Sequence, residues 1–200
     1  ECGGDDEWNT DPANCLAEAG SAALMFEGNV SFHRQLMHRF GARDNISLVL
    51  NYVTPANLTT VLRDALHAIP HSSVSPDLLK VDLDHADCHF MAAALRVVHP
   101  KLIHFEYLPP VPPPMSYAQD YQPRLLQFGL DFRASAPLQE VNALADAALG
   151  LEPPGCSLQG FLSRAPGYKL VSVGPEEALL VREDLSWLAR DIDPLSAWLD

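Results

Sequence analysis

Residues 78–84 read Leu78-Leu79-Lys80-Val81-Asp82-Leu83-Asp84, and residues 101–107 read Lys101-Leu102-Ile103-His104-Phe105-Glu106-Tyr107. Each is a short apolar run that ends in carboxylates, and a helical pattern over Phe90–Val98 lies between them. Strands alternating with helices build a parallel sheet, because a strand returns beside its predecessor in the same direction only through a crossover. The same rhythm extends towards the N-terminus. Ser21–Phe26 and Ile46–Val53 read as strands, and Val30–Phe40 as a helix with Phe32, Leu36, Met37 and Phe40 on one face. Thr54-Pro55 caps a further helix that Pro70 ends. A helix from Pro12 to about Gly20 precedes these elements, and Glu1-Cys2-Gly3-Gly4 reads as the tail of a first strand whose apolar body is absent. The expectation is an α/β fold with a mostly parallel sheet.

After Tyr107 the rhythm breaks. Leu108–Met115 holds five prolines in eight residues, which predicts extended polyproline-like backbone and a rigid wall or lid. Residues 108–155 as a whole read as an irregular lid or substrate loop, with one helix at Leu138–Leu149. Regular patterns return with a helix at Ser157–Arg164 and strands at Tyr168–Val173 and Ala178–Arg182. The short turn at Gly174-Pro175 makes the last two antiparallel. Leu185–Arg190, with Trp198 beyond, reads as a packing helix. Residues 1–200 are expected to form a single domain.

The chain has 13 Lys and Arg against 26 Asp and Glu, a formal charge of −13. Nucleic-acid binding needs a basic face, so this balance argues against such a partner, and against attraction to an anionic membrane. Apolar residues make up 48% of the chain and charged residues 20%, which excludes intrinsic disorder. No apolar run approaches the ~20 residues of a membrane-spanning helix, so no membrane insertion is expected. Cys2, Cys15, Cys88 and Cys156 form no CxxC pair, which disfavours structural zinc. Cys2 and Cys88 could be neighbours at the carboxyl edge of the sheet. Asn29-Val30-Ser31, Asn45-Ile46-Ser47 and Asn57-Leu58-Thr59 match the N-glycosylation pattern and lean towards a secretory compartment, although two of them fall at turns expected to be buried or to face a ligand.

In open parallel sheets, ligands bind beyond the carboxyl ends of the strands. Glu1, Glu27, Asp82, Asp84 and Glu106 all fall at such ends. Carboxylates there accept hydrogen bonds from a diol and offset a positive charge. Alternation along a strand would point Asp82 and Asp84 to one side. With Glu106 they could hold a divalent metal, although no metal site is assigned. His85, Cys88 and His89 are read as surface or helix-capping residues, and His33 and His38 are given no site.

The order of these pieces resembles the FkbM-type branch of the class I S-adenosylmethionine-dependent methyltransferases. The matching stretches are Glu1-x-Gly3-x-Asp5, Leu24-Met25-Phe26-Glu27-Gly28-Asn29, Val53-Thr54-Pro55-x-Asn57, Val81-Asp82-Leu83-Asp84 and Ile103-His104-Phe105-Glu106-Tyr107, followed by Gly155-Cys156-Ser157-Leu158 and Ala178–Leu185. The resemblance implies a three-layer, Rossmann-like sandwich whose seven-stranded sheet has an antiparallel last strand. It implies S-adenosylmethionine as cofactor, with Glu1 and Gly3 lining its methionine portion, Glu27 on the ribose hydroxyls, Val53 or its neighbour against adenine, and Asp82 near the amino group. Asp84 and Glu106 would face the acceptor, a small molecule or sugar methylated on oxygen. Asp6 stands where such enzymes usually carry glycine, so a noncatalytic binding or scaffold module is the first alternative. A metal-dependent glycosyl- or nucleotidyl-handling enzyme using Asp82, Asp84 and Glu106 is the second.

Overall fold

The computed structural model describes residues 12–69, 73–83, 86–118, 155–188 and 192–199. They form a mixed α/β structure with two sheets. Glu1 and Gly3 lie outside the described residues, as do Asp84, His85 and the helix expected at Leu138–Leu149. The chain divides into two compact units: Glu1–Val53 with Asp64–Ser72, and Thr54–Arg63 with Ser73–Asp200.

In the first unit, α1 (Pro12–Glu18), β1 (Ala23–Phe26), α2 (Val30–Phe40) and β2 (Ile46–Val49) follow in order. β1 and β2 pair in parallel, with Ala23 opposite Ile46 and Phe26 opposite Val49. The expected crossover is therefore present, and α2 supplies it. Asn29 starts that helix by accepting the Ser31 N–H at 3.0 Å, and Gly41 ends it by donating to the Met37 carbonyl. The unit's core is Ala17, Leu36, Phe40 and Ile46, with Met25, Leu48 and Leu50 packed against them. β2 stops at Val49, four residues short of the expected Val53.

The second unit opens with the first residues of α3 (Pro55–Ala68). Thr54 and Asn57 cap this helix reciprocally, the Thr54 N–H on Asn57 Oδ1 at 2.7 Å and the Asn57 N–H on Thr54 Oγ1 at 3.2 Å. Then come β3 (Leu78–Val81), α4 (Asp87–Ala94), β4 (Leu102–Glu106), α5 (Leu158–Leu162), β5 (Tyr168–Val173) and β6 (Glu177–Arg182). The sheet order is β3-β4-β6-β5. β3 and β4 are parallel, while β6 runs antiparallel to both β4 and β5, as the terminal hairpin predicts.

One face of this sheet carries Val81, Ile103, Phe105, Ala178 and Leu180, all buried. Phe105 stacks on Phe161 of α5, with ring centroids 4.0 Å apart. α4 packs against β3 and α5.

Several local expectations are corrected. β3 ends at Val81 and the Leu83 N–H turns to Asp87 Oδ2 (3.3 Å), so the strand alternation invoked for Asp82 does not extend to it, while Asp84 lies outside the described residues. α4 begins earlier and ends sooner than Phe90–Val98, as the Arg96 and Val97 N–H groups tighten onto the carbonyls three residues back. The proline run is folded into turns, with the Val111 N–H on Leu108 and the Met115 N–H on Pro112. Extended polyproline backbone makes no such internal bonds. The C-terminal packing helix is instead a 3₁₀ segment, Glu183–Leu188, on which Trp187 is 78% exposed, followed by α6 (Pro194–Leu199).

Cys88 is joined to Cys156 by a disulfide; Cys2, expected as a possible neighbour of Cys88, lies outside the described residues. Both half-cystines are buried. Next to the bridge, Ser157 Oγ accepts the Tyr117 N–H at 2.9 Å and the Gly160 N–H at 3.1 Å, and it lies 3.0 Å from the Met115 carbonyl. Ala118 and Cys156 form an antiparallel bridge.

Candidate functional site

In a parallel pair, both strands finish at the same end, and their carboxyl-terminal turns become neighbours. In the first unit these turns are Glu27-Gly28-Asn29 after β1 and Asn51-Tyr52-Val53 after β2. Gly28 sits against Tyr52: a Cβ at residue 28 would lie 3.2 Å from Tyr52 Cδ2 and 3.5 Å from its Cα. The turn carrying Glu27 and the turn carrying Val53 are thus brought together.

Glu27 is held by its own turn. Its N–H donates to the Val49 carbonyl at 3.1 Å, and its Oε1 accepts the Asn29 N–H at 2.6 Å. Its carbonyl lies 2.9 Å from His33 Nε2. Among the described residues Oε2 has no hydrogen-bond partner in the protein, so Glu27 keeps an acceptor for a diol while its backbone is fixed.

In the second unit, Val81 ends β3 opposite Phe105, and Glu106 ends β4 one residue later, so Asp82 and Glu106 lie at the same end of neighbouring strands. Asp82 is paired with Lys80 at 2.9 Å. Glu106 is half-buried and stands opposite Glu177 on β6. Like charges in register repel. Lys80 and His104, paired with each other one step earlier along β3 and β4, bring positive or ionisable groups to the same sheet face. His104 Nε2 is 3.5 Å from Glu177 Oε2. Beyond Glu106, burial and the neighbouring Glu176 push the Tyr107 hydroxyl above its usual pKa, and this hydroxyl donates to the Gly174 carbonyl at 2.9 Å.

Among the described residues no three His, Cys, Asp or Glu side chains are grouped to hold a metal ion; Asp84 is outside that set. Cys88 is committed to its disulfide and could not ligate with His89. No helix among the described residues is long and apolar enough to cross a membrane.

His33 and Lys80 are contributors that sequence reasoning missed, and Tyr52 entered only as an unnamed neighbour of Val53. His33 sits four residues after the Asn29 cap, one helical turn on, which was the available signal. Lys80 lies two residues before Asp82, and the ion pair between them was the feature to look for. Nothing in the sequence marks Tyr52 beyond its position before Val53. No protein-family model matches the chain, and no curated protein matches it either.

Proposed function

We propose that this chain is an S-adenosylmethionine-dependent methyltransferase acting on an oxygen of a small molecule or sugar, with the Rossmann-like arrangement its sequence resembles. The observation that carries the reading is the seating of Gly28 on Tyr52. It brings the turn that carries Glu27 beside the turn that carries Val53. The antiparallel last strand, β6, also agrees with what the resemblance implies.

In this reading Glu27 accepts the ribose hydroxyls, with Val53 or Tyr52 against the base, and Glu1 and Gly3 meet the methionine portion. Asp82 offsets the amino group. Bound S-adenosylmethionine supplies a methyl group made electrophilic by its sulfonium. The protein's part is positioning and proton handling. Glu106, or Asp84, takes the proton of the acceptor hydroxyl as that oxygen becomes nucleophilic. Glu106 is half-buried at the end of β4, in register with Glu177 of β6.

A noncatalytic scaffold is the second reading. The Lys80–Asp82 ion pair favours it, since it occupies a carboxylate that the enzyme reading needs. Transfer of a labelled methyl group to a panel of sugars and small hydroxylated compounds separates the two. Labelled product that disappears in Glu106→Gln supports the enzyme. Absence of product across the panel, on a chain that binds no cofactor, supports the scaffold.

A further inference from the structure

We propose that Asn57 is an N-glycosylation site and carries an N-linked glycan in the folded protein. Asn57-Leu58-Thr59 is one of three such triplets, and the structure separates them. Asn57 is exposed on the first turn of α3. Its side chain is oriented by the helix cap: Oδ1 accepts the Thr54 N–H at 2.7 Å. Among the described residues Nδ2 donates to no protein group. A glycan on Nδ2 leaves Oδ1 as it is, so the modification costs the fold no hydrogen bond.

The other two asparagines are less suited. Asn45 spends Nδ2 on the Ser21 carbonyl at 2.8 Å, tying the approach to β1 to that of β2. Asn29 is half-buried, and its backbone N–H is bound to Glu27 in a crowded turn.

A second, independent feature points to the compartment where this chemistry occurs. The Cys88–Cys156 bridge is fully interior, and disulfides of this kind persist in oxidising compartments of the secretory type. Glycans on Asn-x-Ser/Thr triplets belong to the same setting and to surface positions. The donor would be a polyprenyl-diphosphate-linked oligosaccharide. A bond forms from Asn57 Nδ2 to the anomeric carbon, and the bond from that carbon to the diphosphate oxygen breaks. The electron pair leaves with the diphosphate, and the Nδ2 proton passes to a base of the transferase. None of this depends on the methyltransferase reading.

The test uses the native protein, captured with antibodies raised against this chain and digested without reduction. Deglycosylation by peptide-N-glycosidase in heavy-oxygen water converts a glycosylated asparagine to isotope-labelled aspartate. The expected result is label at position 57, located by fragment sequencing. An unmodified Asn57, or label at Asn45 with none at Asn57, overturns the proposal. A second arm secretes the full chain from a eukaryotic host. The glycosidase-sensitive mobility shift should be reduced or lost in Asn57→Gln and equally in Thr59→Ala, which keeps the cap. A shift unchanged in both variants overturns it as well.

Discussion

Gly28 lies so close to Tyr52 that a single added carbon would meet the ring at 3.2 Å. The contact brings together the turns that end β1 and β2, and the proposed nucleoside site depends on it. Gly28→Ala forces the ring or the turn to move, at an expected cost of about 1–3 kcal/mol. In a double-mutant cycle followed by thermal unfolding, Tyr52→Ala should remove most of that cost. Additive effects would mean that the two turns do not press on each other as described.

Glu27→Gln keeps an amide oxygen for the Asn29 N–H and removes the charge. The fold should be unchanged by circular dichroism. Affinity for S-adenosylmethionine should fall roughly tenfold to a hundredfold, the equivalent of about 1.5–3 kcal/mol for hydrogen bonds to a charged group. Undiminished affinity would move the ribose site elsewhere.

Ser157 gathers the Tyr117 and Gly160 N–H groups onto one buried hydroxyl. Ser157→Ala leaves both donors without that acceptor, and about 1–3 kcal/mol of stability per unsatisfied group is at stake. Gly160→Ala tests the same junction from the other side, because a Cβ there would run into the Tyr117 carbonyl. Denaturant unfolding should place both variants well below the parent, and near-parental midpoints would show that the junction is not tightly packed.

The Cys88–Cys156 bridge spans a sequence separation of 68. Closing a loop of that size is worth about 4 kcal/mol in the chain-entropy account. Replacing both cysteines by alanine should lower the unfolding free energy by that order, and reductant should then have no further effect through this bridge.

Arg182 donates from Nε to Asp184 Oδ1 at 2.7 Å, and this bond, followed by the charge of the guanidinium, holds the Asp184 carboxyl below its usual pKa. A carboxylate whose folded pKa is depressed contributes its stability above the unfolded value. That contribution is lost as pH falls through the folded value. An NMR titration should find Asp184 depressed in the parent and closer to normal in Arg182→Gln. The pair is solvent-exposed, so the effect on overall stability should be small and weakened by salt.

How much of this was legible in the sequence depends on the range of the interactions involved. α2 was readable residue for residue, because Asn29, the apolar face and Gly41 all act within a few positions. The β5–β6 hairpin was readable for the same reason. The end of β3 was not, since Leu83 leaves the strand direction for a side chain four residues on, a competition that apolar runs do not reveal. The proline run misled because composition signals extended backbone, whereas carbonyls three residues back closed it into turns. At the site, carboxylates at strand ends were visible as Glu27, Asp82 and Glu106. Their partners were harder to see: the pairing of Cys88 with Cys156 and the seating of Gly28 on Tyr52 are long-range facts that no local pattern encodes.

The most direct test of the central claim is calorimetric titration of the folded chain with S-adenosylmethionine and, separately, with S-adenosylhomocysteine. The account predicts micromolar binding of at least one of them, worth about 8 kcal/mol, and its loss in Glu27→Gln. No heat from either ligand, on a chain whose unfolding is cooperative, would contradict the methyltransferase reading and leave the scaffold in its place.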